Sequence, residues 1–471
     1  MTITRHDFLR GLLTSLGVGA FGRPIFAAPP GWSPPGRPNL IFGAVSDTHL
    51  RTANRGDALG ANWPDKYFVA ALSYFREQNV DAVVHCGDFA HRGQVREMVF
   101  HANAWFKVFP KNRAPDGHPV VKLFVTGNHD VEGAQYGDFV KNRYPDPVER
   151  AKRILQTDMA GNWQRIWGES YEPVWHKEVK GYHFFGHHYG LDELAMVPLL
   201  KKQVEAYGLA KGDRPFFILS HRRPYAPLRK AVTPFRNAFA FFGHNHCSAA
   251  NWNVVDLYYG VLPCIQCPSC EPRGSGALTG DAYIAKAPLG GKEAVGRPRQ
   301  GYLVRMYDDM MVISRREFGE GGSLGSDWIM PLGVRTPHPL SRAELKNRIG
   351  TPQFRAGSVL GTEETVLVLA KEKRPRAVLR IKIPLADANP DSRVYAYDVE
   401  LSGGKAGAKP LCRSVYACGC NMGIGHEPDH GVTTLAIPKS ELPAGDALTI
   451  TVTPLSSLGT RGRPLQTVWR V

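Results

Sequence analysis

The chain of 471 residues is long enough for two or three domains, and 43% apolar with 21% charged residues sits at the globular norm, which excludes a disordered chain and a coiled coil. The 58 Lys and Arg outweigh the 43 Asp and Glu to give a net charge of +15, a balance that favours anionic ligands and says nothing of fold or chemistry. Eight cysteines are too few for a disulfide scaffold at this length, although an even number permits pairing in an exported chain.

At the N-terminus, Arg5 and Arg10 precede an apolar, Gly-rich stretch from Gly11 to Phe21, and Phe26-Ala27-Ala28 brings small residues up to Pro29 and Pro30. Charge, apolar core and small-residue site in that order predict an export signal over residues 1–28, with a core too short to span a bilayer. The run from Thr4 to Arg10 resembles a twin-arginine signal in which His6 replaces the second arginine. The route therefore stays open between twin-arginine-like, general secretory and a retained anchor; a buried N-terminal helix is the alternative. A periplasmic or otherwise exported chain beginning near Pro29 is expected. No other segment reaches the roughly 18 unbroken apolar residues of a membrane helix, so no transmembrane domain is expected in the mature chain.

Residues 29–38 read as a linker, because prolines and glycines fill the run PPGWSPPGR. From there apolar runs alternate with helical patterns. Leu40 to Val45, Ala82 to His85, Val120 to Val125, Tyr182 to Gly186, Phe216 to Leu219 and Ala238 to Phe242 read as strands. Pro64 to Gln78 and Val95 to Phe109 read as helices, and Gly301 to Phe318 as a hairpin turning at Asp308-Asp309. This alternation predicts an α/β domain over residues 39–318. Residues 319–354 read as a connector with a short helix near Ser341–Arg348. Beyond 355 only short β-rich runs follow: Val366–Ala370, Ala377–Ile383, Val394–Leu401, Thr433–Ile437 and Ala447–Val452. They predict an all-β sandwich domain over residues 355–471.

Five clusters of metal-ligand residue types each follow a predicted strand. They are Asp47-Thr48-His49, Gly87-Asp88, Gly127-Asn128-His129-Asp130, Ser220-His221 and Gly243-His244-Asn245-His246. Ligands of α/β sheets gather where strand C-termini meet their loops, so these clusters should converge on one edge. Glycines before Asp88, Asn128 and His244 let the backbone turn sharply there. Mixed Asp, His and Asn ligation suits borderline divalent ions such as Mn, Fe or Zn, and so many ligands suit two ions better than one. Taken singly each cluster is common by chance; all five at successive strand ends are not.

In this order the clusters resemble the signature of the calcineurin-like metallophosphoesterases: D-x-H, G-D, G-N-H-D/E, H, G-H-x-H. The resemblance covers residues 39–318 and implies an α/β (α+β) four-layer sandwich of two sheets flanked by helices. It implies two divalent transition metal ions, one held by Asp47, His49 and His246, the other by Asn128, His221 and His244, with Asp88 bridging both. It gives His129 the role of proton donor, oriented by Asp130. The implied reaction is hydrolysis of a phosphoester, monoester or diester, by a metal-bound hydroxide, and the basic charge favours a polyanionic substrate. The competing reading is a catalytically inert phosphoester- or partner-binding protein on the same fold. The C-terminal domain resembles the Ig-like domains appended to some exported members.

His91 lies three residues after Asp88, where purple acid phosphatases carry a ferric-iron tyrosine, and the missing tyrosine argues against a purple ferric enzyme. His91 and Arg92 are candidates to reach substrate phosphate, against the reading of a solvated loop pair. His187-His188 also follows a strand but matches no family role, and a packed or exposed pair is expected. Cys264, Cys267 and Cys270 form a C-x2-C-x2-C run without a fourth nearby ligand, so with Cys412, Cys418 and Cys420 they predict one or two disulfides rather than a metal site. Cys86 reads as a small buried hydrophobe, and His426, Asp429 and His430 as surface residues.

Overall fold

The structure, a computed structural model, describes most of the chain from Ser33 to Arg470 together with Phe26–Ala27. The longer stretches outside the description are residues 1–25, 51–64, 133–144, 271–298, 333–349 and 421–431. Of the expected export signal only Phe26 and Ala27 are described, and they pair antiparallel with Ile329 and Trp328; the rest of it, the helix near Ser341–Arg348 and the group His426, Asp429 and His430 lie outside the described residues. Among the described residues no helix is long and apolar enough to cross a membrane.

Two sheets face each other. The first has seven strands in the order Phe26–Ala27, Trp328–Pro331, Met310–Glu317, Gln300–Met306, Leu40–Val45, Ala82–Cys86, Val121–Val125. Its last three strands run parallel. The second has six, in the order Val174–Val179, Tyr182–His187, Phe216–Leu219, Ala238–Phe242, Cys264–Gln266, Val255–Asp256, of which the middle four run parallel.

Period-two alternation decides what each face buries. Phe42, Ala44, Ala82, Val84 and Cys86 turn into the core between the sheets, where they meet Phe184, Phe217 and Phe241. The Phe42 ring stands edge-on to those three rings at 5.6, 5.4 and 5.7 Å. Val45, Val83 and Phe124 turn the other way, under helices Asp65–Glu77 and Val95–Val108. Phe68, Ala71, Leu72 and Phe75 fall at the i, i+3, i+4, i+7 spacing that lines one helix face, and all four are buried. Helices Glu193–Ala206 and Ala226–Val232 cover the second sheet through Leu200, Val204 and Leu228. The result is the expected helix–sheet–sheet–helix sandwich.

The first sheet continues past residue 318, where a connector was expected. Trp328–Pro331 pairs antiparallel with Met310–Glu317 and buries Trp328 completely. Four residues ending in proline are too short to show alternation in the sequence. Further on, two antiparallel sheets share one core. Gly361–Val368, Pro375–Ile383 and Thr433–Pro438 form one, and Leu411–Tyr416, Val394–Gly403, Ala447–Ser456 and Leu465–Arg470 the other. Leu379, Ile381 and Leu435 of the first meet Tyr397, Val399, Ile450 and Val452 of the second. The two strands that the sequence did not announce, Leu411–Tyr416 and Leu465–Arg470, are the edges of their sheet, with polar residues at several positions.

The cysteines correct the disulfide expectation, because among the described residues none of the eight is joined in a disulfide. Cys264, Cys267 and Cys270 enter three different cores: beneath the helices of the second sheet, between the sheets, and beneath the helices of the first. Thiols so divided can neither pair nor share an ion.

Several histidines are buried as neutral rings. Burial holds His101 down to about 4 and His188 down to about 3. His188 Nδ1 accepts the Thr126 N–H at 3.0 Å and its ring stacks on Tyr171. Below the unfolded value of about 6.5 the unfolded chain binds protons that these folded rings refuse. Their contribution is therefore complete above pH 6.5 and is lost as the pH falls, at roughly 1.4 kcal/mol per pH unit for each ring. Urea midpoints of chelator-treated protein should drop clearly between pH 7 and pH 5; equal midpoints would contradict this burial.

Candidate metal centre

Because the central strands of both sheets are parallel, the loops at their C-terminal ends share one edge. Asp47 and His49 follow Leu40–Val45, and Asp88 follows Ala82–Cys86. Asn128, His129 and Asp130 form the short helical turn Asn128–Val131 after Val121–Val125. His221 follows Phe216–Leu219, and His244 and His246 follow Ala238–Phe242.

The backbone is bent to bring these side chains in. Of nine described non-glycine residues with positive φ, five are here: Asp47 at 50°, His49 at 43°, Asp88 at 58°, His244 at 74° and His246 at 52°. Left-handed backbone costs such residues about 1–3 kcal/mol each and persists only where surroundings impose it. Here the strand-end loops do so by bonding to one another: Asp47 N to Gly87 O and His49 N to Asp88 O at 3.0 Å, Gly243 N to His221 O at 2.9 Å. A Cβ on Gly127 would collide with the Asp88 carboxylate, and one on Gly243 with Ser46 and Asp47.

Two overlapping groups of ligand atoms result. Asp47, His49, Asp88 and His246 form one, Asp88, His221 and His244 the other, and Asp88 belongs to both. In the first, His49 Nε2 lies 2.9 Å from His246 Nε2, which lies 3.1 Å from Asp47 Oδ1. Asp88 Oδ2 stands 3.5 Å from His49 Nε2 and 3.3 Å from His221 Nε2. In the second, Asn128 Oδ1 lies 2.9 Å from His221 Nε2 and 3.0 Å from His244 Nδ1, and those nitrogens are 3.2 Å apart.

This donor set fits divalent ions. Two carboxylates, four imidazoles and an amide oxygen suit borderline metals. His221 Nδ1 gives its proton to the Cys86 carbonyl at 2.8 Å, which turns the Nε2 lone pair toward the cluster. Burial opposes charge on His221, yet the Asp88 carboxylate beside it raises its pKa to about 9, so a proton stands where a cation fits. Burial likewise opposes charge on Asp47, but His246 and His49 hold it well below the usual carboxylate range. Burial and the charge of His221 push His244 down to about 4.

His129 is half-buried, with its backbone N–H on Asp88 Oδ1 at 2.8 Å and its ring edge-on to His49 at 4.6 Å. Its Nδ1 donates to the His91 carbonyl at 2.8 Å. The Asp130 carboxylate, expected to orient His129, is turned to the backbone instead. It accepts from Ala90 N at 2.7 Å, Gly127 N at 2.8 Å, Asp88 N at 3.0 Å and Phe89 N at 3.3 Å, tying the Asp88 loop to the Asn128 loop. Burial and the neighbouring Asp88 push its pKa up to about 7, against the pull of the Gly127 and Ala90 N–H groups.

His91 stacks on His129 at 5.4 Å and joins His49 and His129 in a third set of close ligand atoms. Arg92 gives its backbone N–H to Glu97 at the start of helix Val95–Val108. His188 is packed behind the Asn128 loop, as expected of a residue without a family role. Two neighbours of the cluster were missed. Arg222 directly follows His221 in the chain, which was signal enough to find it; Tyr189, beneath it, carries no motif.

Residues 40–248 match the family model for calcineurin-like phosphoesterase, a span that contains all seven ligand candidates. Among solved structures the chain is similar to a dimetal phosphatase from Danio rerio, at 11% identity over 62% of this chain and 99% of that one, with a TM-score of 0.35. It is similar to a purple acid phosphatase from yellow lupin, Lupinus luteus, at 12% identity over 62% of this chain and 53% of that one, with a TM-score of 0.37. It is also similar to Vps29 complexed with zinc from Entamoeba histolytica, at 8% identity over 62% and 98%, with a TM-score of 0.25. No curated protein matches the chain significantly.

Proposed function

Since the chain carries a calcineurin-like phosphoesterase domain over residues 40–248, we propose that it hydrolyses phosphoesters with two divalent transition metal ions, Mn, Fe or Zn. Its place of action is then outside the cytoplasm, the compartment to which residues 1–28 point. The observation that carries the reading is the shared carboxylate of Asp88, common to both groups of ligand atoms. Asp47, His49, Asp88 and His246 would hold one ion, and Asp88, Asn128, His221 and His244 the other. Such ions polarise a phosphoryl group and lower the pKa of an attacking water to near neutral.

The chain's own residues do the rest. Asp47 and Asp88 offset the cationic charge, and the Cys86 carbonyl fixes the His221 tautomer. His129, with its Nδ1 proton committed to the His91 carbonyl, has Nε2 for proton transfer to the leaving oxygen.

Metal analysis alongside turnover of an aryl phosphomonoester and an aryl phosphodiester tests the reading. Two ions with turnover of either ester supports it; two ions with neither turned over supports the inert binding protein. Within the active enzyme, His129→Ala should keep both ions yet lose roughly 10²–10⁴-fold on an alkyl ester, whose leaving oxygen needs a proton. The loss on a nitrophenyl ester should be far smaller. Equal losses on both, or loss of an ion, would make His129 a ligand or a phosphate-positioning group.

A further inference from the structure

Arg222 stands beside the second ligand group and has no part in it. Its guanidinium lies 4.9 Å over the Tyr189 ring. That ring is itself fixed: Tyr189 N bonds to Thr126 O at 3.2 Å, and its hydroxyl donates to Glu132 Oε1 at 2.6 Å. It stands edge-on to the His221 ring, with ring centres 6.1 Å apart. Glu132 closes the turn that carries Asn128, so Tyr189, the platform under Arg222, is anchored on both sides of the segment that supplies Asn128. The buried Nε of Arg222 has no hydrogen-bond partner among the described residues.

A stacked guanidinium is pre-organised, always charged, and made for forked contact with oxyanions. Beside a centre for two divalent ions a fixed cation is repelled, and the arrangement becomes favourable when an anion sits between them. The anion that fits is one with charge left over for a third cation. A phosphomonoester dianion has three non-ester oxygens and two charges; a diester has two such oxygens and one charge.

Resting on the phosphoesterase reading above, we propose that Arg222 binds the additional anionic oxygen of a phosphomonoester and makes the site select monoesters over diesters. In the reaction the P–O bond to the alcohol breaks, a P–O bond to the oxygen of water forms, and the alcohol leaves with a proton. Arg222 stays protonated throughout.

The test compares the wild type with Arg222→Gln and Arg222→Lys. Metal content, inhibition by inorganic phosphate, and kcat and KM on 4-nitrophenyl phosphate and bis(4-nitrophenyl) phosphate are measured. Arg222→Gln should keep both ions and weaken phosphate inhibition by about 30-fold, the worth of a charged hydrogen-bonded contact. Monoester kcat/KM should fall at least about tenfold further than diester kcat/KM, and Arg222→Lys should recover part of the phosphate binding. Unchanged phosphate inhibition, or equal losses on the two esters, overturns the proposal. Should the wild type bind two ions yet turn over neither ester, the phosphoesterase reading fails. Direct titration of wild type and Arg222→Gln with inorganic phosphate then still decides whether Arg222 holds the anion.

Discussion

Asp88→Asn should give a folded protein that retains fewer than two ions and has lost about 10²–10³-fold or more of its phosphoesterase activity. One carboxylate oxygen, Oδ2, stands between His221 Nε2 at 3.3 Å and His49 Nε2 at 3.5 Å, so a single substitution acts on both groups. Asparagine keeps the size and an acceptor for the His129 N–H, now on Oδ1 at 2.8 Å, so the loop need not move. What it removes is the negative charge, and it sets an amide N–H donor among imidazoles. Elemental analysis, near-ultraviolet circular dichroism and turnover, measured together, separate loss of metal from loss of fold. Two ions with near-normal turnover would take Asp88 out of the centre.

Asp130→Ala should act through stability before it acts through chemistry. The carboxylate satisfies the backbone N–H groups of Asp88, Phe89, Ala90 and Gly127, and it is fully buried. Each buried donor left without a partner costs about 1–3 kcal/mol. Even with partial relaxation the loss should reach about 3–6 kcal/mol, a large part of the 5–15 kcal/mol that holds a typical domain together. Asp130→Asn, which keeps one good acceptor oxygen, should recover part of it. Urea denaturation of chelator-treated protein measures this without the contribution of bound ions. A loss below about 1 kcal/mol, with a selective defect on alkyl esters, would return Asp130 to the role of orienting His129.

The sequence carried the position of the centre, because ligand residue types next to glycines at successive strand ends leave the chain little choice of where to gather them. It did not carry the direction of a side chain. His129 and Asp130 are neighbours in sequence, but in the helical turn Asn128–Val131 successive side chains do not face each other, and the carboxylate turns inward to the backbone. The strand at Trp328 was hidden by its length, and Leu411–Tyr416 and Leu465–Arg470 by lying at sheet edges, where one face needs no apolar pattern. Tyr189 had no signature at all. Its role depends on Thr126 and Glu132, which only the folded chain brings to it.

The spread of the cysteines makes the chain a reporter of its own local opening. Cys412 is exposed, and the other seven thiols are buried. A thiol-reactive pulse on the native protein should therefore mark Cys412 at once and the rest only as fluctuations expose them. Cys264, Cys267 and Cys270, three residues apart, sit in three separate layers, so their labelling rates, read peptide by peptide from mass, rank the two helix-covered faces and the interior between the sheets by the free energy each needs to open.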